Sequence, residues 1–277
     1  PLAAATGTGL AGVDFSSMPV FPFLPPVPLP PVYSYAMVAK RHMHEFGTTP
    51  EQLAWVKVAA SHHAQHNEHA LLRKVVTVEE VLASPMVADP LHRLDCCVMT
   101  DGGGAIVVAR EEIARSLKRP RVRVAGCAEA LKHPNGGWYG IVSSAGVQSG
   151  KTAFQQAGIS ATDIKYASLY DSFTITVIVQ LEDLGFCEKG QGGKFVADGN
   201  LISGVGRLPF NTDGGGLCSN HPGNKGGMTK LLEAIRQCRG EAHPAVQVKN
   251  HDWVLAHGTG GAIAGHHVGG IAILAAE

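Results

Sequence analysis

The sequence lacks an excess of charge of either sign, because 23 lysines and arginines face 23 aspartates and glutamates among its 277 residues. This balance does not indicate a nucleic acid or an acidic membrane surface as a partner. A run of 18 apolar residues is absent, so no membrane-spanning helix is predicted. The six cysteines form no Cys-x-x-Cys pair, which argues against a zinc site or a disulfide framework. The last three residues are not a peroxisomal tripeptide, and a cytoplasmic location is predicted.

Glycine is abundant, with 34 residues, and much of it stands next to three short polar segments. These segments are Tyr170-Asp171-Ser172-Phe173, Asn220-His221-Pro222-Gly223 and His257-Gly258-Thr259-Gly260-Gly261. Each one places an ionisable side chain beside a glycine, a turn or a helix start. Buried catalytic sites are built in this way, because acid–base groups lie at the ends of elements and glycine allows close approach of the backbone.

The apolar periodicity predicts an alternation of helices and strands. Helices are expected over 33–47, 50–66, 110–117, 147–158, 172–184 and 226–239, with a short helix from Thr77 that ends before Pro85. Strands are expected over 121–128, 165–169, 253–256 and 268–274, and residues 105–109 are expected to form a buried core strand. Seven prolines within residues 19–32 predict an extended segment packed on a surface. The alternation predicts a layered α/β fold.

The three polar segments, in their order, resemble the C-terminal half of the thiolase superfamily, nearest the branch of the sterol-carrier-protein thiolases. Tyr170-Asp171-Ser172-Phe173 stands where many thiolases have Asn-Glu-Ala-Phe. Residues 215–227 are similar to the Gly-His-Pro-x-Gly segment that supplies the catalytic histidine. The segment that begins at His257 takes the place of Cys-x-Gly-Gly-Gly, and residues 77–104 are similar to the end of the family's loop and N-terminal domains.

The resemblance implies an α/β, thiolase-like layered αβα fold with a complete C-terminal domain at 119–277. Residues 1–118 would form the remainder of the N-terminal domain, with the loop domain at about 19–90. The family's nucleophilic cysteine lies ahead of the matched stretches, and residues 1–32 contain no cysteine. Since the chain opens on Pro1 without methionine, we expect either that the segment with the nucleophile is missing or that the protein works without it.

The resemblance also implies catalytic residues. His221 is expected to be the main acid–base group, because a neutral imidazole works near pH 7. Tyr170 would hold a water or donate a proton, and His257 would shuttle the α-proton or polarise the thioester carbonyl. We expect these three side chains to face one pocket. The structural alternatives are a loop histidine at position 221 and a glycine-rich hairpin around position 257.

Backbone and binding groups follow from the same resemblance. The backbone amides from Gly258 to Gly261, above all those of Gly258 and Gly260, would form part of an oxyanion hole together with Gly223. The substrate is expected to meet Asn67, Arg41, Ser172 and Phe173, and the phosphates of coenzyme A could meet Arg41, Lys57 and Arg73. Asp171 is expected to be a helix N-cap. Cys218 is a minor candidate for a nucleophile, because a buried cysteine usually behaves as a small hydrophobic residue.

The expected function is that of a CoA-dependent acyltransferase that cleaves or forms the carbon–carbon bond of a β-ketoacyl-CoA. The first alternative is a thiolase-like aldolase that splits a β-hydroxyacyl-CoA side chain of steroid type, and the second is a non-catalytic scaffold or lipid-carrier subunit. Coenzyme A would be a substrate, with no bound cofactor. The histidines around His62 and His66 have a spacing suited to a metal, but their polar neighbours favour a solvated face, so no metal is predicted. A homodimer is expected, and the resemblance suggests a small OB-fold partner subunit that binds zinc.

Overall fold

The computed structural model describes residues 30–132, 140–249 and 251–277, so most of the Pro-rich segment at 19–32 lies outside the described residues. Helix α1 (Pro31–Phe46) is followed by α2 (Pro50–Ala64) and the short α3 (Val78–Leu82). The Thr49 side chain accepts a hydrogen bond from the Gln52 N–H, and the Gln52 side chain accepts one from the Thr49 N–H. Thr77 and Glu80 form the same reciprocal pair at α3. The helices predicted from these capping residues are confirmed.

A small hairpin and an extended segment follow the three helices. Strands β1 (Met86–Ala88) and β2 (Leu91–His92) pair with each other, and α4 (Glu111–Arg115) comes after the extended segment. The prediction of a buried strand at 105–109 is wrong, because this stretch has no strand partner and lies exposed. Val107 is 95% exposed and Val108 is 79% exposed. An apolar run becomes a core strand only where a neighbouring strand takes up its backbone groups.

The central sheet contains four strands in the order β3, β6, β5, β4. These are β3 (Val122–Lys132), β4 (Tyr166–Leu169), β5 (Trp253–Gly261) and β6 (His267–Ala276). β4 is parallel to β5, whereas β6 is antiparallel to both β5 and β3. The strands expected at 121–128, 165–169, 253–256 and 268–274 are therefore confirmed, although β3 and β5 run several residues further.

Helices cover both faces of this sheet. On one face lie α5 (Gly146–Ala157) and α6 (Thr174–Asp183), with the short α7 (Gly192–Val196) beside α6. On the other face lies α8 (Gly226–Arg239). Leu255 of β5 belongs to the large core on the α6 side, whereas Val254 and Ala256 pack with Ala234 of α8. The side chains of β5 thus alternate between the two helix layers, as the pleat of a strand requires.

Among the described residues, no helix combines the length and the apolar character needed to cross a bilayer.

Candidate active site

Tyr170 and His221 form a close pair at the carboxyl end of β4. Tyr170 directly follows this strand, and its ring stands edge-on to the His221 imidazole, with the ring centroids 5.1 Å apart. The Tyr170 hydroxyl donates a hydrogen bond to the Gly223 carbonyl at 3.0 Å. The His221 backbone N–H donates to Thr100 Oγ1 at 3.2 Å. The structure therefore brings together two of the three side chains predicted for catalysis, and Gly223 contributes its carbonyl to the pair.

A turn of π-helix, Gly215–Ser219, leads into His221 and is held by a buried carboxylate. Asp171 accepts hydrogen bonds from the backbone N–H groups of Gly216 at 2.7 Å and Leu217 at 3.1 Å. Lys230 of α8 donates to the same carboxylate at 3.0 Å, and both of these side chains are buried. Asp171 thus anchors the turn that carries the histidine.

Two further features fix this turn. Gly215 has a φ of +60°, and a Cβ at this position would collide with the Asp171 carboxylate, so glycine is needed there. The prediction of Asp171 as a helix N-cap is wrong, because the residue at the N-cap of α6 is Phe173, which makes no side-chain capping bond. The carboxylate reaches past its own helix to the π-helical turn.

The environment of His221 keeps its imidazole neutral. Burial lowers the pKa of His221, Asp171 opposes this change, and Lys230 adds to it. His221 Nε2 is buried and has no hydrogen-bond partner among the described residues. A buried polar atom without a partner is costly, so a substrate atom or a water is the expected partner at this position. A neutral imidazole with a pKa below its ordinary value can accept a proton near pH 7.

His257 stands on β5, but its imidazole faces away from this pair. The ring is fully buried, and its Nδ1 lies 2.7 Å from Oε1 of Gln180 on α6. Burial, together with the nearby His267, lowers the pKa of His257 to about 3. The imidazole is therefore neutral throughout the ordinary range of pH.

The expectation that His257 shares a pocket with His221 and Tyr170 is wrong. Position 257 lies on the same face of β5 as Leu255, which packs in the core on the α6 side. The Tyr170 ring instead approaches Gly226, where α8 begins on the opposite face of the sheet. The pleat of β5 therefore directs the histidine into the wrong layer for contact with the pair.

The amides of Gly258 and Gly260 are not available as an oxyanion hole. The Tyr170 N–H donates to the carbonyl of residue 257, so the odd-numbered residues of β5 direct their backbone groups toward β4. The even-numbered residues face β6, where Gly258 is opposite Gly270 and Gly260 is opposite Val268. Their N–H groups consequently belong to the β5–β6 ladder.

The next residue of β5 on the β4 side is Thr259. β4 ends at Leu169, opposite residue 257, so the Thr259 N–H points past the end of that strand. The candidate oxyanion donor therefore moves from the two glycines to the residue between them. Gly258 instead contributes to packing, because it lies directly against Gly227 at the start of α8 and a side chain there would crowd that contact.

Similarity to known proteins identifies the family of this chain. The family described as Thiolase C-terminal domain-like matches residues 139–274. An acetyl-CoA acetyltransferase of Methanothermobacter thermautotrophicus is 38% identical over 84% of this chain and 61% of its own length. A steroid side-chain-cleaving aldolase of Thermomonospora curvata is 40% identical over 76% of this chain and 54% of its own length. The chain belongs to the thiolase superfamily. Its predicted α/β, thiolase-like fold is confirmed.

Solved structures agree with this assignment. The structure described as an Ltp2-ChsH2(DUF35) aldolase has a TM-score of 0.79 and 36% identity, and it covers 89% of this chain and 64% of its own. A monomeric SCP2-thiolase-like protein of Mycobacterium smegmatis shares the fold, with a TM-score of 0.61 and 20% identity. The chain spans only 51 to 64% of the length of these superfamily members. The boundary predicted at residue 118 between N-terminal and C-terminal domains stays a prediction.

Two of the residues predicted to contact the substrate, Asn67 and Arg41, bond to other parts of the chain. Asn67 Nδ2 donates to the Asp213 carbonyl at 2.8 Å and to Ser219 Oγ at 3.1 Å, so the amide supports the turn before the histidine. Arg41 is exposed and pairs with Glu45 one turn along α1. Neither side chain is brought to the Tyr170–His221 pair, and Asn67 is explained by its structural bonds.

Ser172 and Phe173 are buried and contact other side chains of the fold. Ser172 Oγ is 3.1 Å from Thr176 Oγ1, and the Phe173 ring packs on Tyr35 with a centroid distance of 4.5 Å. The Tyr35 hydroxyl in turn donates to the Gly261 carbonyl at 3.3 Å, on the side of β5 that Thr259 also faces. Tyr35 is therefore part of the wall next to the candidate oxyanion position, a role that its place in a helix did not suggest.

A groove of about 670 Å³ opens beside the turn and carries more positive than negative charge. Its charged lining consists of Lys57, Arg73, Lys74, Glu80 and Arg93. The Leu71 and Leu72 N–H groups donate to the carbonyls of residues 219 and 218, so this lining is bonded directly to the π-helical turn. The prediction that the Lys57 ammonium meets a phosphate is wrong, because it is buried and donates to the Leu217 carbonyl at 2.6 Å.

Burial keeps five of the six cysteines in the thiol form, and the sixth, Cys127, lies exposed on β3, away from β4. Burial raises the pKa of Cys97 to about 12, and the thiol of Cys218 is also shifted upward by burial. Burial also raises the pKa of three further thiols to about 12, those of Cys96, Cys187 and Cys238. Within residues 30–132, 140–249 and 251–277, no cluster of three His, Cys, Asp or Glu side chains could hold a metal ion.

Sequence reasoning missed Lys230 and the anchoring role of Lys57, and it did not single out Thr259 within the segment 258–261. Lys230 lies within α8 between Thr229 and Leu231, and a lysine in a helix normally indicates a solvated face. Thr259 could have been found by combining the strand period with the order of the strands, since that combination decides which amides leave the ladder. For Lys57, the apolar residues on both sides in α2 were the available signal.

Proposed function

We propose that the protein makes or breaks a carbon–carbon bond next to a coenzyme A thioester, and that the reaction is the retro-aldol cleavage of a β-hydroxyacyl-CoA. The observation that carries this proposal is the contact between Tyr170 and a neutral His221 whose Nε2 is buried without a partner. Such a pair supplies one proton acceptor and one proton donor. Burial raises the pKa of the Tyr170 hydroxyl well above its usual value, so the phenol keeps its proton.

The proposed chemistry needs only these groups. His221 Nε2 removes the proton of the β-hydroxyl, the Cα–Cβ bond breaks, and a carbonyl product forms at Cβ. The electron pair of the broken bond moves into the thioester as an enolate, whose oxygen the Thr259 N–H would stabilise. Tyr170, once it exchanges the Gly223 carbonyl for the substrate, protonates Cα, and the proton on His221 returns to the phenolate. No covalent intermediate is required.

Thiolytic cleavage of a β-ketoacyl-CoA is the second candidate. It is favoured by the 38% identity to an acetyl-CoA acetyltransferase and by the position of His221, which in thiolases assists a cysteine thiolate. The raised pKa values of five described cysteines do not support them as that nucleophile. The sixth, Cys127, lies on β3, at the opposite edge of the sheet from β4 and Tyr170. The thiolase route therefore requires a cysteine from outside the described residues.

Coenzyme A is proposed to lie in the groove beside the π-helical turn. Arg73, Lys74 and Arg93 line this groove, and Arg93 has no acidic partner among the described residues, so three cations could meet phosphate oxygens. Lys74 also pairs with Glu80 at 2.5 Å. The bonds from Leu71 and Leu72 to the turn would connect the bound nucleotide end with the reacting end near His221.

The test compares two substrates in the purified protein. A β-hydroxyacyl-CoA should yield a carbonyl product and a shortened acyl-CoA, with no acylated cysteine in the mass spectrum. His221→Ala should lower turnover by roughly two to four powers of ten, while binding of the CoA ester changes little. Tyr170→Phe keeps the ring contact but removes the proton donor, so it should be slow in the aldol reaction.

The second substrate in the test is a β-ketoacyl-CoA, supplied together with free coenzyme A. Rapid thiolysis with an acyl group mapped to a cysteine would reject the aldol proposal in favour of the thiolase reaction. Arg93→Ala should weaken binding of the CoA ester, and Arg207→Ala, which removes an exposed arginine that does not line the groove, serves as the control. Full binding by Arg93→Ala would remove the groove from the proposal.

We also propose that the protein works with a second subunit. The support is the solved structure of 36% identity, which is described as a complex of Ltp2 with the DUF35 protein ChsH2. A small OB-fold, zinc-binding subunit is the kind of partner that the sequence resemblance suggested. Co-expression with candidate subunits, followed by size-exclusion chromatography, tests this assembly, and elution of a single-chain species in each case would contradict it.

A further inference from the structure

A closed ring of hydrogen bonds connects Tyr170 with the layer behind it. Gln180 is fully buried on α6, and its Nε2 donates to the Tyr170 carbonyl at 2.6 Å and to the Thr176 carbonyl at 2.9 Å. Its Oε1 lies 2.7 Å from His257 Nδ1. The Tyr170 N–H donates to the His257 carbonyl at 3.0 Å, which closes the ring. Both backbone groups of Tyr170 are therefore held by the same two residues.

The ring fixes the orientation of each member. Two carbonyls can only accept, so the amide nitrogen of Gln180 must face them and its oxygen must face His257. The imidazole must then carry its proton on Nδ1, because Oε1 cannot donate. Burial, which favours the neutral form, removes the doubly protonated state as a competitor. One tautomer of His257 and one orientation of the Gln180 amide are compatible with the structure.

We infer that Gln180 and His257 are positioning residues that hold the backbone of Tyr170 so that its ring stays against His221. This inference rests on the proposed function only in taking Tyr170 and His221 as the reacting pair. Neither positioning residue touches the reacting groups. They act through the one peptide unit from which the phenol extends, at the point where β4 ends and the chain turns toward α6.

The position of Tyr170 needs such support. The residue lies one step beyond the last ladder pair of β4, Leu169 opposite His257, so the neighbouring strand holds its N–H but not its carbonyl. Its hydroxyl is held from the other side by the Gly223 carbonyl. Loss of the Gln180 bond would leave the Tyr170 carbonyl buried without a donor, and the ring would lose its fixed distance from His221.

The test uses the titration of His221, which does not depend on knowing the substrate. In protein labelled with ¹³C-histidine, the resonance of His221 is identified by its loss in His221→Asn, and its pKa is measured by NMR. Asp171 and Lys230 are the charged groups that act on this imidazole, and both stay in place. In Gln180→Met the Tyr170 ring should loosen, His221 should gain water, and its pKa should rise toward the ordinary value near 6.5.

Gln237→Met is the matched control. Gln237 is also a fully buried glutamine on a helix, and its Nε2 also donates to two oxygens, Thr212 Oγ1 and the Val246 carbonyl. A similar loss of thermal stability is expected in both variants, but only Gln180→Met should move the His221 titration. An equal shift in the two variants, or no shift in Gln180→Met, would overturn the inference.

His257 provides a second, independent readout. The amide of Asn at position 257 can place an N–H where Nδ1 stands, so His257→Asn should keep the wild-type pKa of His221, whereas His257→Phe should raise it as Gln180→Met does. If the Asn and Phe variants behave alike, the donated proton is not what positions Tyr170, and the inference fails. Because turnover is not measured, this outcome is separate from failure of the proposed reaction.

Discussion

Replacement of Lys230 by Met tests how the π-helical turn before His221 is held. Lys230 Nζ lies 3.0 Å from Asp171 Oδ1, and the two side chains are 2% and 0% exposed. Coulomb's law at this distance with an effective dielectric constant of about 20 gives about 5.5 kcal/mol of attraction. The lysine no longer has to be desolvated in the variant, and Asp171 keeps two backbone N–H donors. We therefore expect a net loss of about 3 kcal/mol, at the lower end of the range for a broken buried pair.

The assay is equilibrium unfolding in urea, followed by circular dichroism at pH 7. Lys57→Met is the control, because Lys57 is an equally buried lysine that ties the same turn through a carbonyl instead of a carboxylate. It should cost about 1–3 kcal/mol, the range for one unsatisfied buried acceptor. The double variant Asp171→Asn/Lys230→Met should recover part of the loss of Lys230→Met, since no unpaired charge remains.

The dependence on pH has a definite sign. Burial lowers the pKa of Lys230, but Asp171, Asp213 and Glu233 outweigh burial and raise it above its ordinary value. A group with a raised folded-state pKa contributes its stability fully below its unfolded-state pKa, near 10.4, and loses it as the pH rises further. The difference between wild type and Lys230→Met should therefore persist from pH 6 to 9, and it should grow rather than shrink as Glu233, which also acts on Lys230, ionises. A difference below about 1 kcal/mol, or one that disappears at pH 8, would refute the anchoring role.

Three further outcomes are expected. Burial, with Asp213 nearby, raises the pKa of Glu233 to about 7, so the folded protein should lose stability as the pH rises from about 4.3 to 7; Glu233→Gln should flatten this slope in thermal melts at pH 5 and pH 8. The lowered pKa of His221 places the acid limb of kcat/KM below pH 6.5, and a limb above that value would exclude a neutral base at this position. Gly215→Ala should cost more than Gly47→Ala in urea unfolding, because both have positive φ but only Gly215 also meets the Asp171 carboxylate; equal losses would show that the carboxylate gives way.

The helices could be predicted from the sequence because their signals are local. Thr49 with Gln52 and Thr77 with Glu80 stand three residues apart, and each pair satisfies backbone donors of its own first turn. The run at 105–109 has an equally clear apolar pattern, but a strand depends on a neighbour that the pattern does not contain. Its exposure shows the limit of reading strands from apolar runs alone.

The motifs predicted where the site residues lie along the chain, but not the direction in which each side chain points. Tyr170 and His221 follow from their motifs, and both lie where elements end. His257 follows from a motif too, but the pleat of β5 decides which layer receives its side chain, and the motif carries no information on that. Lys230 could not be singled out from the sequence, because a lysine in a helix normally indicates a solvated face. Its carboxylate partner, Asp171, lies 59 positions away along the chain.

The exposed stretch at 105–109 has a consequence for handling the protein in solution. Ala-Ile-Val-Val-Ala is uncharged, contains no proline, and combines high β-propensity with two valines that are 95% and 79% exposed. Segments of this kind pair with copies of themselves, and the tendency grows with protein concentration. Concentrated samples of the chain should therefore aggregate through this stretch, and a lysine at Val107 should act as a gatekeeper that keeps the copies apart.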